Sequence, residues 1–465
     1  MNISIRYSLL ALLLLPAVLP AQSSAELQQI LERLSRLEAE NQRLNTEVKE
    51  LREALRGSQA SAPNAVAIVE SSEGNAEPAE TPEQVPVEER VAVQEVRVNE
   101  LARTSVQTSQ RLPVSLTGMI LFNSYINGSA NGGAQNPLIA APENSSSGNG
   151  ASPRQSIVGF RYQGPQILGG GQVTASLNMD LWGGSSNSLN HTIRLRTADF
   201  RVDWKNQSLM VGQDKPLISP RDPTSLAQVA YSPLTASGNL WLWQPQVRFE
   251  QRFGFGASSG LRAQASLYQT SEPGVQTTVS EGYGTSSAAR PALQGRFEFW
   301  HDFTPTRRIE IAPGFHTSQS HVGRYSIPSR LFNIDWLIKP AAAWEFTGAF
   351  FQGRNAAGLG GLRQGFTYLG PRDFVPVHTA GGWAQLAWLP TQRLSFHAYG
   401  GQESNRSADL LSGQITRNRT VAGNAFYRFG TNILVGLEVS QVRTRYKPGT
   451  VRILNHYDLA LAYLF

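Results

Sequence analysis

Cysteine is absent from the 465 residues, which excludes disulfide scaffolds, thiol nucleophiles and thiolate metal sites. Charge is sparse, at 16% of side chains. Beyond the extreme N-terminus no long apolar run occurs, so a bundle of membrane helices, each needing ~20 such residues, is excluded. The 7 histidines fall in no HExxH or other metal-ligating spacing. Gly169-Gly170-Gly171 lacks the Lys-Ser/Thr of a phosphate loop. Lysine is nearly missing from residues 112–465, where 26 of the 30 basic side chains are Arg. Arginine offers a fixed fork for carboxylate or phosphate, whereas a solubilising surface uses more lysine.

What is present divides the chain. After Arg6, residues 7–20 are almost wholly apolar, and small residues follow at Ala21 and Ala25. This is the layout of a signal peptide, assigned to 1–21 with cleavage after Ala21 or Ala25, and Pro16 and Pro20 argue against a spanning helix. An exported protein is not expected to bind nucleic acid despite its pI near 9.6.

Residues 26–56 carry a heptad repeat. Position a is Leu27, Leu34, Asn41, Val48 and Leu55; position d is Ile30, Leu37, Leu44 and Leu51. Such a seam predicts an α-helical coiled coil, with Asn41 fixing register. Arg33-Leu34-Ser35-Arg36-Leu37-Glu38 resembles a short trimerisation motif, in which the Arg33 stem covers the seam and its head pairs with Glu38 of a neighbour. Asn at a also accompanies dimers; the trimer is favoured. Residues 57–111 are rich in Ala, Ser, Pro and Glu and read as a flexible linker.

From residue 112 to 465 the period becomes two. At the C-terminus Tyr457, Leu459, Leu461, Tyr463 and Phe465 alternate with His456, Asp458, Ala460, Ala462 and Leu464. Sixteen such segments are predicted, near 113–126, 154–163, 171–182, 191–204, 207–213, 243–253, 261–270, 291–302, 307–319, 329–340, 342–354, 376–389, 393–404, 416–429, 431–445 and 450–465. Short turns alternate with long loops at 127–153, 214–242, 271–290, 355–375 and 405–415. The predicted fold is therefore an all-β transmembrane barrel of about 16 antiparallel strands, preceded by the coiled coil. A soluble sandwich or propeller is the competing architecture, but no fixed-period repeat supports it. Tyr125, Trp182, Trp204, Trp300, Trp336, Trp388 and Tyr427 are expected in interfacial girdles. The terminal Phe465, with Tyr463 and Tyr457 behind it, resembles the assembly signal of bacterial outer-membrane barrels.

A barrel of this size leaves an aqueous channel. Alternation points Arg161, Arg194, Arg196, Arg201, Arg248, Arg252, Arg296 and Arg428 inward, among Glu250, Glu298, Asp335 and Asp458. A bulge near Thr197 is required to keep Ile193 and Leu195 outside with Phe200 and Val202. Residues 112–465 hold 30 basic and 19 acidic side chains, an excess that lowers the barrier for anions where it lines a pore. The loop 214–242 is expected to narrow the lumen, with Lys215 and Arg221 facing the passage; a plain surface loop is the alternative. Barrel proteases need a rim His with an acid or Ser partner, an arrangement that His301-Asp302 and Ser320-His321 resemble, but rim histidines in water explain both pairs. No enzyme activity, metal or cofactor is expected.

The order signal peptide, coiled coil, linker and sixteen-strand barrel resembles the DcaP-like porins. Val211-Gly212-Gln213 and Gln244-Pro245-Gln246-Val247-Arg248 are similar to that family's pattern around its inward loop, although Asp214-Lys215 stands where an aromatic is expected. The resemblance implies a homotrimer in the outer membrane, a periplasmic coiled coil, Arg248 near the constriction and passage of small anions such as dicarboxylates. Phosphate- and sulfate-type porins remain neighbours. The alternative is an outer-membrane anchor or adhesin whose coiled coil binds a periplasmic cell-wall component and whose barrel is closed.

Overall fold

The computed structural model describes residues 113–184, 191–269, 287–288, 291–322, 325–362, 364–370 and 373–465. The signal peptide, coiled coil and linker, with Arg33, Leu34, Leu37, Glu38 and Asn41, lie outside the described residues.

The rest is a closed antiparallel barrel of 16 strands. They are β1 (Val114–Asn127), β2 (Ile157–Ile167), β3 (Gly171–Gly183), β4 (Thr192–Asp203), β5 (Gln207–Asp214), β6 (Gln244–Gly254), β7 (Ser259–Tyr268), β8 (Ala292–Thr304), β9 (Arg307–Val322), β10 (Tyr325–Ala341), β11 (Trp344–Arg354), β12 (His378–Trp388), β13 (Leu394–Asn405), β14 (Ile415–Phe429), β15 (Ile433–Tyr446) and β16 (Val451–Leu464). Each strand pairs with the next, and β16 returns to β1 from Met119↔Leu464 to Asn127↔His456. Gly118 and Phe465 exchange both backbone hydrogen bonds at the seam (2.9 and 3.2 Å). Closure leaves no open edge, as a strand wall in lipid requires. Two short pieces, Gly148–Ser152 and Ser287–Ala288, add rungs on β1 and β9.

The wall is inside-out relative to a soluble barrel. On β16, Tyr457, Leu459, Leu461 and Tyr463 are 46, 48, 51 and 46% exposed, whereas Asp458, Ala460 and Ala462 between them are 4, 2 and 1% exposed. Phe122, Val247, Phe297, Phe332 and Leu437 likewise stand outward on their strands. A continuous apolar exterior of this kind is a membrane-facing surface.

Three details correct the alternation reading. The segments near 307–319 and 329–340 extend to meet at Val322↔Tyr325; the added rungs carry Ser320, His321 and Ser326, so no oily face marks them. Of the expected girdle rings, Tyr125 stacks on the buried His456 and Trp182 packs edge-on against Tyr231, so both face inward. Trp300 also points inward, alternating with the exposed Phe299. Trp388, by contrast, stacks on Trp344 and Phe396 (5.9 and 5.3 Å) at the end with short turns. The bulge falls at Arg196: Asn178 pairs with Thr197 and Met179 with Leu195. Arg194, Arg196 and Thr197 consequently all bond inward groups, while Ile193, Leu195 and Phe200 stay exposed. Val202, expected to be exposed with them, is buried beside Trp204 over Gly171.

Candidate functional site: a segment folded into the lumen

Residues 215–243 leave the wall after β5 and rejoin it at β6. The segment forms no helix or named strand of its own, so its buried peptide groups need partners from elsewhere. The inner wall supplies them around its circumference. Asn333 on β10 donates to Ile218 O (2.9 Å). Gln385 on β12 accepts from the Thr224 N–H (2.6 Å), and Asn424 on β14 donates to Thr224 O (2.7 Å). Asn123 on β1 donates to Leu226 O (2.8 Å). Gln155, fully buried between β1 and β2, accepts from the N–H groups of Val229 (2.8 Å) and Ala230 (2.9 Å) and donates to Ala227 O (2.9 Å).

Apolar contacts reinforce these bonds. Leu226 packs with Phe426, Ala460 and Ala462, and Leu234 with Ala349, Trp383 and Tyr399. Gly238 has φ +99°, and a Cβ there would lie 2.4 Å from Gly382 O. Only glycine allows backbone to press on backbone at this point. The segment is thus inside the barrel, as expected, and the surface-loop alternative fails.

Charge on this wall is largely paired. Arg296, 2% exposed at its side chain, forms two 2.8 Å bonds to Asp335 and a 2.8 Å pair with Glu298. Arg221 reaches from the segment to Asp335 and Glu310, with Glu298 at 3.9 Å. Arg308 and Arg262 complete the cluster on Glu310 and Glu298. Asp180, wholly buried, binds Arg194 (2.6 Å) and Arg196 (2.9 Å). These two arginines also donate to Ala230 O (2.6 Å) and Val229 O (2.8 Å), and Arg196 lies 4.5 Å over the Trp243 ring. Arg248 donates to Lys215 O (2.9 Å) beside Asp214 at 3.4 Å. Arg252 pairs with Glu250 (2.6 Å).

The residues singled out from the sequence therefore fall into groups. Arg194, Arg196, Arg248, Arg252 and Arg296 face inward but are neutralised. Lys215 and Arg221 are bound to Asp222 and to the wall acids respectively, rather than standing as bare charges in the passage. Arg428 donates to Thr431 O (2.9 Å) at the turn end. Arg161 and Arg201 face inward with no side-chain partner among the described residues. Strands β13, β15 and β16 differ: Glu403, Glu438 and Asp458 are buried with hydrogen bonds from Leu362 N–H, Ser225 and Asn123 (2.9, 2.7 and 2.9 Å) but no ion pair among the described residues. Sequence reasoning missed Arg262 and Arg308, which alternation on β7 and β9 does signal, and Gln155, which the expected strand near 154–163 places in the wall although β2 begins at Ile157.

No protein-family model matches the chain, and no curated protein does. Solved structures do. The outer membrane channel DcaP of Acinetobacter baumannii superposes with a TM-score of 0.63 at 15% identity, over 76% of this chain and 97% of that one. The fold is that of an outer-membrane porin. An anion-selective porin from Comamonas acidovorans superposes with a TM-score of 0.52 at 11% identity, over 76% of this chain and 99% of that one.

Proposed function

We propose that the protein is an outer-membrane channel for passive diffusion of small solutes, with a preference for anions such as dicarboxylates. The observation that carries this reading is the segment 215–243. It is held against the inner wall by built-in partners, as a constriction is, within a barrel whose outer face is apolar. Anion preference rests on Arg161 and Arg201, two inward guanidiniums without side-chain partners among the described residues. They stand on β2 and β4 of the wall. An anion passing these guanidiniums meets a lowered barrier, most so where water is excluded. The pore-lining set is Arg161, Arg194, Arg196, Arg201, Arg248, Arg252, Arg296 and Arg428 with Lys215 and Arg221. Three protomers are tied by the coiled coil of 26–56, with Arg33 paired to Glu38 of a neighbour, in the periplasm. Tyr457, Tyr463 and Phe465 form the assembly signal.

Liposome swelling tests it with succinate, glucose and lysine at equal osmolarity. Faster swelling with succinate than with lysine is expected; the reverse order would overturn the anion preference. A second reading is favoured by the same contacts, because the segment touches so many strands: a closed barrel acting as an anchor, with the coiled coil on a cell-wall component. That reading requires no swelling with any solute.

A further inference from the structure

The arginines left without acids are concentrated on the outside of the barrel. On the outward face of β14 and β15, Arg417 lies directly opposite Arg445 and Arg419 directly opposite Arg443. All four are exposed, and none has an ion pair or side-chain hydrogen bond among the described residues. On β10 and β11, Arg330 lies opposite Arg354. Like charges in directly opposed positions destabilise a sheet. Their recurrence on one side of one end of the barrel calls for an anion that bridges them.

Their placement specifies which kind. All sit toward the end of the barrel that carries the long connections 355–377 and 406–414, opposite the end where the last strand finishes at Leu464. Below them, along the same strands, the surface turns apolar: Val421, Val439, Leu437 and Phe332 are 41 to 60% exposed. Successive outward positions are ~7 Å apart along a strand, so Val421 starts the oily band one step below Arg419. Between Arg330, Arg354, His378 and Arg406 the outer surface is indented by a cleft of about 520 Å³. The nearby carboxylate, Asp409, is already engaged by the His378 N–H (2.9 Å) and ring (2.8 Å). Against the upward push of burial, those bonds and the charge of Arg406 hold it below the usual carboxylate range. The quartet on β14 and β15 is the bare part of the surface.

We propose that this outward arginine belt, on Arg417, Arg419, Arg443 and Arg445 and continuing to Arg330 and Arg354, binds the phosphates of an acylated lipid in the outer leaflet. The acyl chains lie on the apolar band below. A guanidinium fork matches phosphate oxygens in two-point contacts, and one phosphate between opposed arginines turns their repulsion into attraction. This rests on the barrel spanning the membrane, but not on its conducting.

The test is native mass spectrometry of the full-length protein in detergent, titrated with bis-phosphorylated lipid A, with dephosphorylated lipid A and with inorganic phosphate as competitor. Retention of the phosphorylated form alone is expected. Arg417→Gln with Arg445→Gln should weaken it about 25-fold, since each arginine near an anionic lipid surface contributes about fivefold. Arg330→Gln with Arg354→Gln, made separately, provides a second folded variant with the same expected direction, and Lys at each position should restore part of the binding. Equal binding of dephosphorylated lipid, or wild-type binding by both pairs of variants, would overturn the proposal. So would displacement by millimolar phosphate, which would make the occupant a free anion, or dissociation of the oligomer in the variants with lipid binding unchanged, which would make the belt a protein interface. Bilayer conductance of the same samples should be unaltered by either pair of substitutions, so loss of lipid and loss of the channel are read apart.

Discussion

Arg221 is the one cation that the lumen segment extends into the acid cluster of β8 to β10, and Arg221→Ala tests whether that contact holds the segment in place. Its removal does not strand the acids: Asp335 keeps two bonds from Arg296, and Glu310 keeps Arg308. The loss is therefore below the ~3–5 kcal/mol of a broken buried pair. It lies nearer the ~1.5–3 kcal/mol of hydrogen bonds to charged groups, and the barrel itself should remain folded. Local opening of the segment should then rise by about 10- to 100-fold, at ~1.4 kcal/mol per factor of ten. Amide hydrogen exchange reads this directly. The Thr224 N–H, bound to Gln385 at 2.6 Å, should exchange about tenfold faster or more. The N–H groups of Val229 and Ala230, held independently by Gln155, should change less. Unaltered exchange at Thr224 would refute the anchoring role of Arg221. Equal acceleration through the strands would show that the charge cluster supports the wall and not the segment.

Other outcomes follow from the same contacts. Gly238→Ala places a methyl 2.4 Å from Gly382 O; it should lift the segment from β12 and raise exchange at Ser237 and Asn239, and a variant with wild-type exchange would contradict the close-packing reading. Replacing Arg161 and Arg201 together by Gln removes two inward guanidiniums without side-chain partners among the described residues and should move the bilayer reversal potential toward cations. The same change at Arg252, already paired with Glu250, should shift it less. Deleting residues 24–57 should reduce the oligomer to monomers by native mass; an unchanged mass would end the proposed role of the heptads.

The architecture was legible because lipid on one side and water on the other force a period of two, and β16 shows it over its whole length. The alternation weakens where strands leave lipid, so the Ser320 and Ser326 rungs fall outside the predicted segments. The bulge was readable because Ile193 and Phe200 cannot both face outward without one. Charge pairing was not readable strand by strand. Arg296 meets Asp335 across 39 positions of sequence, and Arg221 meets Glu310 across 89; neither pair is encoded in local spacing. Counting acids against bases therefore gives an excess but not its placement: many inward arginines are held in ion pairs, and the quartet of Arg417, Arg419, Arg443 and Arg445 stands outside. The loop 214–242 is expected inside from its place among the long loops, but the anchors of the segment, Gln155, Gln385 and Asn424, are neutral amides that look like any other polar residue in sequence.

Single-channel recording of the purified full-length protein in a planar bilayer, under a potassium chloride gradient, is the most direct test of an open, water-filled and anion-favouring lumen. Steady conductance steps with a reversal potential on the chloride side are expected. A barrel that inserts yet passes no steady current, or one that reverses on the potassium side, would contradict the proposed channel.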